Sequence, residues 1–213
     1  MSLMETNLIV DDRAAAVRRG LWLNYLTIFY NSLEAIVSII AGLLASSVAL
    51  VGFGLDSVIE VTASVAAQWR LRADRHHDDR ERVERITRRV IGATFLALAA
   101  FVAYDSAHAL WLRERPERSW LGIGVLVMSV IVMPLLSRAK RLVAVTLGSR
   151  ALQADAQQTS LCAYLSVIAL TGVALNALAG LWWTDPVAAL IMVPIIANEG
   201  IENMRGDPCC DSC

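Results

Sequence analysis

Six long apolar stretches, separated by short polar segments, constrain the fold of this chain more than any other feature of its sequence. They cover roughly residues 21–44, 47–69, 90–112, 120–137, 152–178 and 181–198. A helix needs about 20 apolar residues to cross the ~30 Å hydrocarbon core of a bilayer. Hydrophobic residues make up 56% of the chain and charged residues only 18%, which is unlike a soluble domain. The sequence therefore predicts an all-α polytopic membrane protein with six transmembrane helices.

The basic residues predict its orientation, because cytoplasmic loops are enriched in arginine and lysine. One side has only Arg113, Arg115 and Arg118, whereas the other side has Arg13, Arg18 and Arg19, eight arginines between positions 70 and 89, then Arg138, Lys140, Arg141, Arg150 and Arg205. We therefore expect a protein of the cell membrane with both termini in the cytoplasm. Its parts would be a cytoplasmic N-terminal segment (1–20), a six-helix transmembrane domain (21–200) and a short Cys-rich cytoplasmic tail (201–213).

Two acidic residues in the second span are the strongest functional signal. Asp56 and Glu60 are four positions apart, so both carboxylates lie on one helix face, about one turn apart. A charged group inside a membrane helix costs about 2.5–3.5 kcal/mol. Two such groups together require a cation between them or a proton on at least one of them. This pattern predicts a divalent-metal site coupled to protons, and the alternative is a hydrogen-bonded acid pair that holds helices together.

The fifth span carries a second polar face. Gln158 and Cys162 are also four positions apart. Cys162 would be a thiolate ligand for a soft or borderline cation, and Gln158 a weaker oxygen ligand. The alternatives are a buried cysteine that acts as a small hydrophobe and a glutamine that bridges helices.

Three stretches resemble the cation diffusion facilitator family of metal transporters. They are GLLASSVALVGFGLDSVIEVTAS in the first two spans, ALQADAQQTSLCAYLSVIALTG in the fifth, and GLWWTDPVAALIM at the sixth. The resemblance implies that Asp56, Glu60, Gln158 and Cys162 are the metal ligands. It also implies a homodimer that carries Zn²⁺ or a similar ion across the membrane, in exchange for protons, by alternating access.

The chain departs from the family pattern in two respects. The usual cytoplasmic C-terminal domain has no counterpart in the printed sequence, and Gln158 and Cys162 replace ligands that are usually His or Asp. It is most similar to a truncated branch that includes vesicle-membrane zinc-binding proteins of animals and their bacterial relatives. Two carboxylates, an amide and a thiol favour Zn²⁺, or alternatively Cd²⁺, over Mg²⁺ and Ca²⁺, which require more oxygen ligands.

Further ionisable residues are secondary candidates for binding metal or protons. Glu34 lies in the middle of the first span, where it would be an additional ligand, a proton carrier or a gate residue, or would hydrogen-bond a neighbouring Ser or Asn. Asp105 and His108 share one face of the third span, which favours a polar anchor at a subunit interface over a metal contact on the exit path. Asp155 is expected to cap the fifth helix or to line the cytoplasmic mouth.

Two polar segments outside the spans complete the candidates. His76 and His77 are followed by two aspartates in an arginine-rich loop; they would gather metal ions or belong to a charged helical extension. The tail contains Cys209, Cys210 and Cys213, a spacing that favours capture of a soft metal ion over an idle tail.

The function predicted from these patterns is proton-coupled efflux of a divalent cation, first of all Zn²⁺, from the cytoplasm. The alternative is a membrane module that binds metal, buffering it or modulating partners, without transporting it. No nucleophile–base pair, phosphate-binding glycine loop or zinc-protease motif occurs, so the sequence does not predict an enzyme. The net charge of −1 does not predict binding of nucleic acid.

Overall fold

A computed structural model describes the backbone of residues 3–72, 77–148 and 150–205, and side chains within 15–66, 68, 89–148 and 152–205. This part of the chain forms six α-helices and contains no strand. They are α1 (Leu3–Ala45), α2 (Val48–Arg72), α3 (His77–Leu112), α4 (Trp120–Leu147), α5 (Arg150–Ala179) and α6 (Thr184–Arg205). Each is long and apolar enough to cross a membrane, which confirms the predicted fold class.

Several helices begin or end at residues other than the predicted span boundaries. The largest difference at the C-terminal end of a helix concerns α4, which continues to Leu147, ten residues beyond the predicted boundary. It begins at the cap Ser119, whose hydroxyl accepts from the N–H of Gly122, and it ends at Gly148, which adopts a left-handed conformation. The last helix begins at Thr184 rather than at residue 181, because residues 181–183 form the preceding turn.

Four of the helices form a closed ring of contacts. α1 packs on α2 and α4, and α5 packs on α4 and α2. We call these four the bundle. The other two helices, α3 and α6, pack extensively on each other and lie against α2, and α6 also contacts α5.

The bundle has two distinct ends. At one end α1, α3 and α5 begin and α2, α4 and α6 finish; since most arginines of the sequence lie there, we call it the arginine-rich end. At the other end, the turn end, the connections are short. The predicted hairpin turn is present, with α1 ending at Ala45 and α2 beginning at Val48. A second turn contains Gly180, whose φ of 67° favours glycine.

Hydrogen bonds join neighbouring elements at the turn end. The Glu117 N–H donates to the carbonyl of Ala45 (2.8 Å), which links the α3–α4 connection to the first hairpin. The side chain of Asn176 on α5 donates to the carbonyl of Pro116 in the same connection (3.0 Å). The hydroxyl of Thr184 on α6 donates to the carbonyl of Gly172 on α5 (2.9 Å).

Asp185 makes the most extensive of these links. Its buried carboxylate accepts from the hydroxyl of Ser47 (2.5 Å) and from the N–H of Val48 (3.0 Å) at the start of α2. The first N–H groups of a helix have no partner within it, so this carboxylate on α6 caps α2.

Candidate metal centre

The two carboxylates of α2 lie in the interior of the bundle. Asp56 is 4% exposed and Glu60 is 1% exposed. They are one helical turn apart, as the spacing predicts, and electrostatic repulsion acts between them. Neither oxygen of Glu60 has a hydrogen-bond partner of ordinary geometry. An unpartnered buried carboxylate is unfavourable, so this position is suited to a cation or a proton.

Cys162 of α5 faces this acid pair. Its thiol is buried and unpaired, and it lies beside the carboxylates of both Asp56 and Glu60. The thiol is adjacent to Glu60 but does not reach hydrogen-bonding geometry with either carboxylate oxygen. Three of the four predicted ligands are therefore neighbours, although their role as metal ligands stays a prediction.

The fourth predicted ligand, Gln158, is placed differently. It is partly buried, and its side-chain Nε2 has no hydrogen-bond partner. Together with Cys162, the α5 residue that lies beside Glu60 is the one that follows Gln158 in the chain, Thr159. Asp155, Thr159 and Cys162 follow one another at spacings of four and three, so they share the face of α5 that is turned toward α2.

Glu34 of α1 belongs to the same region. It is 3% exposed, and its charge acts on both Asp56 and Glu60. The hydroxyl of Ser57 donates to its Oε2 (2.9 Å), so the hydrogen-bonded alternative for Glu34 is present, but Oε1 has no partner of ordinary geometry. We call Glu34, Asp56, Glu60 and Cys162 the acidic centre.

The polar face of α1 extends well beyond Glu34. Buried polar residues recur along it at alternating spacings of three and four, and all are at most 3% exposed: Asn24, Thr27, Asn31, Glu34 and Ser38. This spacing places them in one stripe along the helix. The sequence interpretation singled out only Glu34, although the same period was the available signal for the others.

The structure corrects the interpretation of Lys140 and Asp155. Asp155 does not cap α5, which begins five residues earlier, and it is only 4% exposed. Lys140 is not a loop residue but a fully buried residue of α4. Its Nζ lies 2.8 Å from Oδ2 of Asp155 and donates to the hydroxyl of Thr159 (3.0 Å). The buried ion pair explains why α4 continues past a cluster of charges at which a span was expected to end.

The remaining candidates lie elsewhere. Asp105 is partly exposed, and His108 is exposed on α3, where it stacks on Tyr104 and lies 3.6 Å from Glu114. Their predicted place at a subunit interface stays a prediction. Outside the described residues lie His76, Cys209, Cys210 and Cys213, and outside the described side chains lies that of His77, with which α3 begins.

The acidic centre is an arrangement of donors and not a finished coordination shell. Among the described side chains, no three His, Cys, Asp or Glu groups converge tightly enough to hold a metal ion. Zn²⁺ requires oxygen and sulfur ligands at about 2.0–2.3 Å, so a bound ion would draw the carboxylates and the thiol closer together.

The fold and the site together define a class of protein: a six-helix membrane protein with acidic side chains and a thiol buried inside a four-helix bundle. The model of the cation efflux transmembrane domain matches residues 25–205. The chain therefore belongs to the cation efflux family, as the three motifs predicted. This membership places it among membrane transport proteins and not among enzymes.

Two relatives align with most of the chain. Transmembrane protein 163 of Xenopus laevis is 26% identical over 188 residues, which cover 87% of this chain and 66% of the relative. A protein of Methanocaldococcus jannaschii named as an uncharacterized transporter is 28% identical over 183 residues, which cover 83% and 64%. The chain thus spans just under two thirds of the length of these relatives.

Proposed function

We propose that this protein transports a divalent cation, with Zn²⁺ as the first candidate and Cd²⁺ as the second, and that the acidic centre binds the ion during transport. The observation that carries the proposal is the burial of three carboxylates and a thiol from α1, α2 and α5 within one bundle. Such groups are costly inside a membrane and are typical of ion pathways.

The chemistry of the centre supports this choice of ion. Hard cations such as Mg²⁺ and Ca²⁺ prefer shells made of six or more oxygen atoms. A thiolate beside carboxylates favours Zn²⁺ and Cd²⁺. In this proposal Asp56, Glu60 and Cys162 are ligands, Glu34 supplies further negative charge, and Gln158 is a ligand only if it turns toward Glu60.

Proton coupling and alternating access are parts of the same proposal. Metal ligands must give up their protons to bind, so protonation of the carboxylates from the far side of the membrane releases the ion. The arginine-rich end would face the cytoplasm by the positive-inside rule, and the ion would leave the cell toward the turn end. The cell membrane and the homodimer that the family resemblance implies also belong to the proposal; the oligomer is testable by native mass spectrometry.

The test is uptake of Zn²⁺ into proteoliposomes that contain the full chain, under an imposed pH gradient. The wild type is expected to accumulate Zn²⁺, and Asp56→Ala is expected to abolish the accumulation. Asp105→Ala is the matched control, since it removes an acid from a span outside the acidic centre. Accumulation that persists in Asp56→Ala would reject the site, whereas tight binding in detergent without accumulation would favour the non-transporting metal-binding module.

A further inference from the structure

Lys140 is the only buried cationic side chain in the part of the chain whose side chains the structure describes. A charged lysine within a membrane helix is costly and requires compensation. The compensation comes from α5, because the ammonium lies 2.8 Å from Oδ2 of Asp155 and donates to the hydroxyl of Thr159. The function proposed above assigns no role to Lys140.

Lys140 and Asp155 belong to a polar layer that crosses the whole bundle. Oδ1 of Asp155 accepts from the hydroxyl of Ser64 on α2 (2.9 Å). The carbonyl of Ser64 in turn accepts from the side-chain amide of Asn24 on α1 (3.0 Å). Each of the four helices thus contributes one residue, and we call Asn24, Ser64, Lys140 and Asp155 the polar layer.

This layer lies directly beside the acidic centre, on the side of the arginine-rich end. Ser64 follows Glu60 by one helical turn on α2. Thr159 accepts a hydrogen bond from Lys140 and also lies beside Glu60, so a single side chain stands between the ammonium and that carboxylate. The positive charge of Lys140 acts on Glu60.

We propose that Lys140 is a tethered cation which competes with the transported ion for Glu60, and that Asp155 is the positioning residue which holds it away. The inference rests on the proposed function of the acidic centre and adds what sets its affinity. With the ion pair intact, Asp155 offsets most of the positive charge of the ammonium, so Lys140 weakens the binding of a dication at the acidic centre only slightly. Without Asp155, the ammonium turns past Thr159 toward Glu60 and occupies the place of the metal ion.

The two members of the ion pair are therefore expected to affect metal binding in opposite directions. Lys140→Met removes a positive charge next to the centre and should tighten binding about tenfold, which is ~1.4 kcal/mol. Asp155→Asn leaves the ammonium without its partner and should weaken binding about tenfold. A purely structural pair predicts instead that both substitutions weaken binding.

The experiment is calorimetric titration of the purified full chain with Cd²⁺, together with thermal unfolding of each variant. Lys140→Arg should restore most of the wild-type affinity, since it keeps the charge. Arg141→Met is the matched control, because it removes the charge of the next residue on α4, which is exposed, and it should leave the affinity unchanged. Weaker binding by both Lys140→Met and Asp155→Asn would overturn the inference.

A double variant keeps the inference testable if Lys140→Met does not fold, since that substitution leaves Asp155 buried and unpaired. Lys140→Met combined with Asp155→Asn removes both charges, and replacement of a buried ion pair by neutral groups is often tolerated. The double variant should bind Cd²⁺ about tenfold more tightly than Asp155→Asn alone, and equal affinities would overturn the inference. Absence of Cd²⁺ binding by the wild type, or binding that Asp56→Ala leaves unchanged, would overturn the proposed site and the inference together.

Discussion

The bundle of α1, α2, α4 and α5 and the pair of α3 and α6 are held together by different means. Buried polar and ionisable side chains from all four helices lie between the members of the bundle. The α3–α6 contact depends on close approach of backbones at Gly92 and Gly200. A Cβ atom on Gly92 would lie 2.8 Å from the carbonyl oxygen of Gly200 and 2.9 Å from the backbone nitrogen of Met204.

The contrast shows that α3 and α6 pack on each other through small residues, without relying on buried acids such as Asp155 and Asp185, which join helices elsewhere in the chain. Small residues allow membrane helices to pack closely without any polar group, and α3 and α6 use this solution. The carboxylates of the bundle are more costly and, in the case of Glu60, unpartnered. A role other than holding helices together is therefore the better account of the acidic centre, and substitutions in the two regions should have separable effects.

The largest expected effect is that of Glu60→Met on metal binding. The substitution keeps a side chain of similar length but removes a proposed ligand. Loss of a residue that only hydrogen-bonds to a metal ligand lowers metal affinity by about 10–100-fold, so loss of the ligand itself should lower the affinity for Cd²⁺ by about 100-fold or more. The thermal stability should stay equal or rise, because an unpartnered buried acid disappears. Titration calorimetry and thermal unfolding measure both quantities.

Glu117→Met, on the exposed α3–α4 connection, is the control for the loss of an acid and should change neither quantity. Retained affinity in Glu60→Met, or a large loss of stability, would contradict the distinction between the two regions.

The second effect is on stability and concerns the glycine contact. Gly92→Ala forces α3 and α6 apart and should destabilise the protein by about 1–3 kcal/mol, as overpacking does. The affinity of the folded protein for Cd²⁺ should not change. Gly124→Ala is the matched control, since a Cβ atom there meets nothing within 4 Å. If both alanine variants unfold at the same temperature as the wild type, close packing at Gly92 does not stabilise the contact between α3 and α6.

A smaller effect is expected from Glu34→Gln. Glutamine keeps an oxygen acceptor for the hydroxyl of Ser57 but lacks the charge, so binding of Cd²⁺ should weaken about tenfold while the protein remains folded. Ser57→Ala removes the hydrogen bond and keeps the charge, and it should weaken binding by no more than about threefold, within the range of one hydrogen bond. The reverse order in titrations of these two variants would assign Glu34 a structural role.

The smallest effect is expected from His108→Ala. The side chain is exposed, and its contact with Glu114 spans 3.6 Å on the surface of α3. Exposed ion pairs contribute about 0–1 kcal/mol, so stability and uptake of Zn²⁺ should remain close to those of the wild type. Marked loss of uptake in proteoliposomes would show that an exit path runs along α3.

The sequence predicted features that depend on neighbouring residues and missed those that depend on another helix. The six spans and the turn before Val48 follow from local hydropathy and chain length. The end of α4 was misjudged because the partner of Lys140 is Asp155, on a different helix. Gln158 was predicted beside Glu60 in place of Thr159. Consecutive residues of a helix point in directions about 100° apart, and which of them faces α2 depends on the packing of α5 against α2.

The cap that Asp185 places on α2 has a mechanical consequence for any change of shape in this protein. Separating α6 from α2 at the turn end would strip a buried carboxylate of its hydroxyl and N–H donors, each worth about 1–3 kcal/mol when left unmade. Further hydrogen bonds at the turn end join α6 to α5, and join the α3–α4 connection to α5 and to the end of α1. The hydrogen bonds of Asp185 thus hold α2 and α6 together on the side remote from the arginines, so a change of shape that keeps these bonds would move the two helices as one unit.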